Sequence, residues 1–101
     1  MNEVVISGVG STKFGKHDGV TAIDLATDAS LQAIVESELD MNKIGAIYLG
    51  NFVSGFLTGQ EVLAGLLADK LGISGVPATK VEGACASGGI AFKHACMAVL
   101  S

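Results

Sequence analysis

The chain has 101 residues, half of them hydrophobic and only 16% charged, with a net charge of −4 and a mean hydropathy of +0.56. That length holds one small domain, and six Lys and Arg residues that never cluster exclude a nucleic-acid-binding surface. A membrane span is excluded as well, because the most apolar stretch, residues 83–101, carries Lys93 and His94 in its middle.

The N-terminus, Met1-Asn2-Glu3-Val4, lacks the basic start of a secretory signal, so the chain reads as cytoplasmic. Its two cysteines make no disulfide framework. If Cys85 and Cys96 share a helix, they stand about 16 Å apart along its axis, too far to bridge. Both are expected as free thiols in a reducing compartment.

Residues 3–9, EVVISGV, form a short β-branched run closing in Gly8 and Gly10 and predict a buried strand. After the loop GSTKFGKHDG, residues 21–37 repeat apolar side chains at helical spacing: Ala22, Leu25, Ala26, Ala29 and Ala33. Thr21 is the expected N-cap, with Asp24 acidic in the first turn. Residues 44–49, IGAIYL, predict a second strand, and GNFVSGFLTG after it reads as a glycine-punctuated loop without helical period. Residues 60–71 predict a second helix, stopped by Gly72 in the left-handed conformation. Residues 76–81 predict a third strand, with Pro77 restricting it to an edge or a strand start. From about Ala84 the sequence turns helical and stays so to Ser101.

The resulting order, β-α-β-α-β-α, implies an α/β fold with a mostly parallel sheet. The final helix is apolar around almost its whole circumference, from Ala84 through Ile90, Phe92 and Met97 to Leu100, which is the pattern of a buried helix. Three strands and two other helices are too few to cover it. The 101 residues therefore read as an incomplete unit, either the N-terminal piece of a longer protein or one subunit of an intimate complex.

Three patterns compete for chemistry. GSTKFGKH, residues 10–17, nearly matches a phosphate-binding loop, but His17 replaces the hydroxyl residue that would meet Mg²⁺, and Asp18-Gly19 delays the helix. It reads as a surface loop. The histidines and carboxylates show no metal-ligand spacing. His94, nine residues beyond Cys85 on one helix, would face the opposite side about 13 Å along the axis, so it is not a base for Cys85 within this chain. Cys85 itself lies in VEGACASGGIAF, where a strand-like segment runs into a helix start. Unpaired N–H groups and the helix dipole there attract a thiolate, and the same N–H groups suit a developing oxyanion. Gly83, Ala84, Ala86, Gly88 and Gly89 leave room for a substrate carbonyl. A small buried cysteine without chemistry is the competing reading.

CASGG after an extended segment, opening an apolar helix, resembles the nucleophile motif of the thiolases. The start, VVISGVGSTKFGKH, is similar to the N-terminus of the sterol-carrier-protein-x and archaeal type, and the likeness covers the whole chain. Glu82 stands three residues before Cys85 where biosynthetic and degradative thiolases usually carry Asn, and Gly89 where they carry a larger residue. Both lean towards the sterol-carrier-type branch.

The resemblance implies that residues 1–101 are the first, incomplete part of a thiolase N-terminal domain. The whole protein would have two similar halves with mixed five-stranded sheets, assembled as a dimer or tetramer. It implies acyl transfer with Cys85 as the nucleophile that becomes an acyl thioester, its backbone N–H a candidate oxyanion donor. Acyl-CoA and CoA are then substrates, no cofactor is permanently bound, and the activating histidine and second cysteine lie outside this chain. Two alternatives stand beside it: a non-catalytic assembly module or inactive remnant, and a condensing enzyme of the ketoacyl-synthase type.

Overall fold

The computed structural model describes residues 3–101; Met1 and Asn2 lie outside the described residues. Helix α1 spans Ala22–Ser37 and strand β1 Ile47–Gly50. A short helix α2, Ser54–Thr58, and a longer one, α3, Leu63–Leu71, lead to strand β2, Ala78–Val81, and helix α4, Ser87–Leu100. A single 3₁₀ turn, Met41–Lys43, precedes β1.

The two strands pair in parallel, in the register Ile47↔Ala78 to Gly50↔Val81. Parallel pairing needs a crossover connection, and α2 and α3 supply it. Pro77 lies just before β2, where its carbonyl accepts the Ile47 amide (2.9 Å) and its missing N–H costs the ladder nothing. The Tyr48 ring meets the edge of His94 of α4, and Gly50 lies against Ser87 of the same helix. Strand alternation therefore turns Tyr48 and Gly50, with their partners Thr79 and Val81, towards α4. Ile47, Leu49, Ala78 and Lys80 point to the other side. Helix α3 packs on both strands, and α1 packs on α3.

The core is small: Leu63, Ala64 and Leu67 of α3, Ile73 just beyond it, and Ala91 of α4. Full burial of such a leucine contributes roughly 1.5–3 kcal/mol. Much apolar surface stays open. Phe92 is 55% exposed, Met97, Val99 and Leu100 of α4 are similarly open, and so are Val5, Ile6 and Val9 near the N-terminus. The burial that the α4 sequence asks for is thus not supplied within these residues, as the count of strands and helices anticipated.

Residues 3–9 are not a strand. The pattern is strand-like, but the end of the segment lies along α1 instead of entering a ladder. The Val9 amide donates to Glu36 Oε1 (3.3 Å) and the Ser11 amide to Gln32 Oε1 (3.1 Å). Gly8 and Gly10 lie so close to the Ala33 and Ala29 carbonyls that a Cβ at either would collide.

Other elements also differ, and β2 starts at Ala78 rather than Val76. A one-turn helix, α2, forms where a loop was expected; five residues are too few to display a helical period, and Gly59 (φ 74°) closes it. Helix α3 starts at Leu63 rather than Gln60, because the Gln60 side chain accepts the Val62 amide (3.0 Å) ahead of the first turn. Strand β1 starts at Ile47 rather than Ile44, whose amide closes the 3₁₀ turn on Met41 (3.3 Å). The stop at Gly72 (φ 73°) falls where expected.

The start of α1 is the reciprocal cap that its sequence suggests. The Asp24 amide donates to Thr21 Oγ1 (3.1 Å), and the Thr21 amide donates back to Asp24 Oδ2 (3.0 Å). The bond from the Thr21 backbone, then its hydroxyl, and more weakly the Lys70 charge hold the Asp24 carboxyl below its ordinary range. A carboxyl lowered on folding stabilises the fold above its unfolded value, near 3.9, and that contribution disappears as pH falls through the lower folded value. Asp24→Asn should therefore flatten the acid limb of the stability curve below about pH 5, while Thr21→Ala should cost about 1 kcal/mol at neutral pH. Urea unfolding across pH checks both; an unchanged acid limb in Asp24→Asn contradicts the cap.

Candidate active site

The turn from β2 into α4 is set by its backbone. Ala84 has φ 52°, the left-handed region that residues with a Cβ rarely occupy. The Ala86 amide donates to the Gly83 carbonyl (3.0 Å) and the Ser87 amide to the Ala84 carbonyl (3.1 Å). Ser87 is buried and satisfied in both directions. Its hydroxyl accepts the Gly83 amide (2.9 Å) and donates to the Ala84 carbonyl (2.7 Å). One side chain thereby ties the end of the strand to the start of the helix and holds Ala84 in its unusual conformation.

Cys85 lies at the outside of this elbow, as an exposed free thiol. It is not in the first turn of α4, where the sequence placed it. The helix begins at Ser87 with Ala86 as N-cap, and no side chain caps it. Left-handed Ala84 interrupts the helical path, so Cys85 precedes the helix and projects from the bend.

Two glycines make the close approach possible. A Cβ on Gly50, at the end of β1, would collide with the Ser87 carbonyl and the Gly88 amide, and one on Gly83 would collide with Ile90. The helix start is thus pressed onto the carboxyl end of the sheet. Gly88 and Gly89 have open space where a side chain would stand. The small residues around Cys85 therefore split into two kinds: Gly83 serves packing, and Gly88 and Gly89 leave the approach to the helix start clear.

The other singled-out residues lie elsewhere. His94 packs edge-on against Tyr48 at 6.2 Å, about two turns along α4 from the elbow. Cys96 is a half-buried free thiol further along the same helix. His17 closes its own surface loop through Nε2 on the Lys13 carbonyl (2.7 Å). Among the described residues no group of three or more His, Cys, Asp or Glu side chains converges as metal ligands. Sequence reasoning overlooked Ser87 and Gly50. Ser87 was legible only as part of CASGG, and Gly50 only as punctuation, because their roles depend on a long-range contact between β1 and α4.

The family model of the thiolase N-terminal domain matches residues 4–101. An acetyl-CoA acetyltransferase of Methanothermobacter thermautotrophicus is 41% identical over 101 residues, which cover all of this chain and 26% of that protein. An acetyl-CoA acetyltransferase of Methanocaldococcus jannaschii is 38% identical over the same span. The benzoylsuccinyl-CoA thiolase subunit BbsB of Thauera aromatica is 41% identical over 92 residues. In structure, the chain resembles the acetyl-CoA acetyltransferase of Syntrophomonas wolfei with a TM-score of 0.79 at 26% identity, over 97% of this chain and 25% of that one. The chain spans about a quarter of the length of the relatives it matches. It belongs to the thiolase family, whose N-terminal domain it matches over residues 4–101.

Proposed function

We propose that this chain is the nucleophile-bearing segment of a thiolase-type acyltransferase, with Cys85 as the acyl-accepting residue. The observation that carries the reading is the elbow itself: an exposed thiol on a bend fixed by Ala84 and Ser87, beside an uncapped helix start with open glycines. The Cys85 sulfur attacks the carbonyl carbon of an acyl-CoA thioester, and the carbonyl oxygen takes the negative charge. The bond to the CoA sulfur then breaks, leaving an acyl-Cys85 thioester and CoA. Backbone N–H groups at the elbow, that of Cys85 included, are the donors suited to the oxyanion. A second acyl-CoA carbanion consumes the thioester in condensation, or CoA does so in cleavage. His94 lies about two turns along α4 from the elbow, so in this reading the base that takes the thiol proton comes from outside these residues.

Coenzyme A thioesters are the substrates in this reading. Two free thiols suit a reducing, cytoplasmic setting, and no helix among the described residues is long and apolar enough to cross a membrane. The open apolar face of α4 fits burial by the rest of a thiolase or by another subunit of a homo-oligomer. It is also the observation that favours a second reading, in which the chain is a non-catalytic assembly module.

The experiment is thiolysis of acetoacetyl-CoA by the whole protein carrying this segment. Cys85→Ala should lower turnover on the order of 10³-fold or more, with Cys96→Ala near wild type, because nucleophile and base act as a unit. The isolated 101 residues should turn over nothing. Turnover that survives Cys85→Ala rejects the catalytic reading in favour of the assembly module.

The elbow has its own test. Ser87→Ala leaves the part-buried Gly83 amide without its acceptor, a loss of about 1 kcal/mol. It should also reduce acyl transfer well beyond what its stability loss accounts for. An unchanged rate at full folding would mean that the bend does not set Cys85.

A further inference from the structure

Gly50, the last residue of β1, meets both ends of the bend that carries Cys85. On one side it is the ladder partner of Val81, the last residue of β2. The next amide, that of Asn51, donates to the Val81 carbonyl (3.2 Å). On the other side, the place where a Gly50 side chain would stand is taken by the Ser87 carbonyl and the Gly88 amide of α4. Between those two contacts lie left-handed Ala84 and the exposed Cys85 thiol. One residue of the neighbouring strand thereby fixes where the bend leaves the sheet and where it returns as helix.

The nature of the second contact decides what it can do. At Gly83 the obstacle to a side chain is the end of the Ile90 side chain, which can turn to another rotamer. At Gly50 the obstacle is backbone, the peptide group that joins Ser87 to Gly88, and no rotamer relieves it. A methyl group at position 50 must lift the helix start off the sheet. The Ser87 hydroxyl, bonded to Gly83 and Ala84, then carries the bend with it.

We propose that Gly50 is a positioning residue for acyl transfer. Its missing side chain sets the distance between the carboxyl end of the sheet and the Cys85 elbow. The inference rests on the acyl-transfer reading of Cys85. In that reading the base reaches the thiol from outside these residues, so the thiol has to stand at one fixed height above the strand ends. A misplacement of about 1 Å can lower a rate on the order of 10²-fold.

The test compares Gly50→Ala with Gly8→Ala in the whole protein. Gly8 is the matched control, because a side chain there also collides with helix backbone, at the Ala33 carbonyl of α1. It lines a cavity with Ile44, ahead of the amino end of β1, and so lies at the other end of the sheet from Cys85. In thiolysis of acetoacetyl-CoA, normalised to the folded fraction, Gly50→Ala should lower kcat on the order of 10²-fold and change KM less. Gly8→Ala should lose stability yet keep kcat within about threefold. Iodoacetamide needs only an exposed thiol, so Cys85 in folded Gly50→Ala should alkylate within about threefold of wild type. Wild-type kcat in folded Gly50→Ala, an equal loss in Gly8→Ala, or alkylation that falls in step with kcat overturns the proposal. If Gly50→Ala does not fold, amide exchange of the wild-type protein carries the test. The Asn51, Gly83 and Ser87 amides should open as one unit, with protection within about tenfold of one another. Gly83 and Ser87 exchanging much faster than Asn51 overturns the proposal, because the strand end then does not hold the bend. Failure of the acyl-transfer reading is separate: it shows as turnover that survives Cys85→Ala, whatever Gly50→Ala does.

Discussion

The Ser87 hydroxyl is the interaction on which the rest of this structure turns. It accepts from Gly83, two residues beyond β2, and donates to Ala84, so the end of strand β2 is tied to the start of helix α4. Burial makes both bonds matter, because a polar group cut off from water is costly to leave unpaired. The tie keeps Ala84 left-handed and puts Cys85 on the outside of the bend. Gly50 then allows the helix start to sit on the end of the neighbouring strand. Chemistry, packing and backbone strain converge within a few residues.

A hydrogen bond from Lys80 Nζ to the Ser54 hydroxyl (2.9 Å) repeats that arrangement one strand away. In both connections a non-glycine residue takes a left-handed conformation, Val53 in one and Ala84 in the other. In both a buried serine follows within three residues. Strain of this kind, worth of order 1–3 kcal/mol at each residue, is held by hydrogen bonds rather than by apolar cover. That division suits a chain whose apolar core is confined to α3, Ile73 and Ala91. Wide apolar faces on α4 and near the N-terminus stay open within these residues.

How much of this was legible in the sequence depends on the range of the interactions involved. The Thr21–Asp24 cap and the Gly72 stop are local, and their residues announce them. Strands β1 and β2 were visible as apolar or β-branched runs, with Pro77 marking where β2 could begin. Residues 3–9 mislead because a strand pattern records only side-chain preference. Whether a ladder forms depends on partners, and here the segment ends along α1, where Glu36 takes the Val9 amide. Cys85 stood out through its motif, but its displacement to just before the helix follows from Ala84, an alanine in a conformation that sequence assigns to glycine. Ser54 and Lys80 are 26 residues apart in the chain, and no local pattern joins them.

The central claim is that the elbow presents Cys85 as an acyl acceptor. Its most direct test is to mix the whole protein with acetyl-CoA alone, quench in acid, and sequence the modified peptide by mass spectrometry. The account predicts one acetyl group on Cys85, removable by added CoA, with none on Cys96. A protein that stays unmodified at Cys85, or acetylates Cys96 instead, contradicts it.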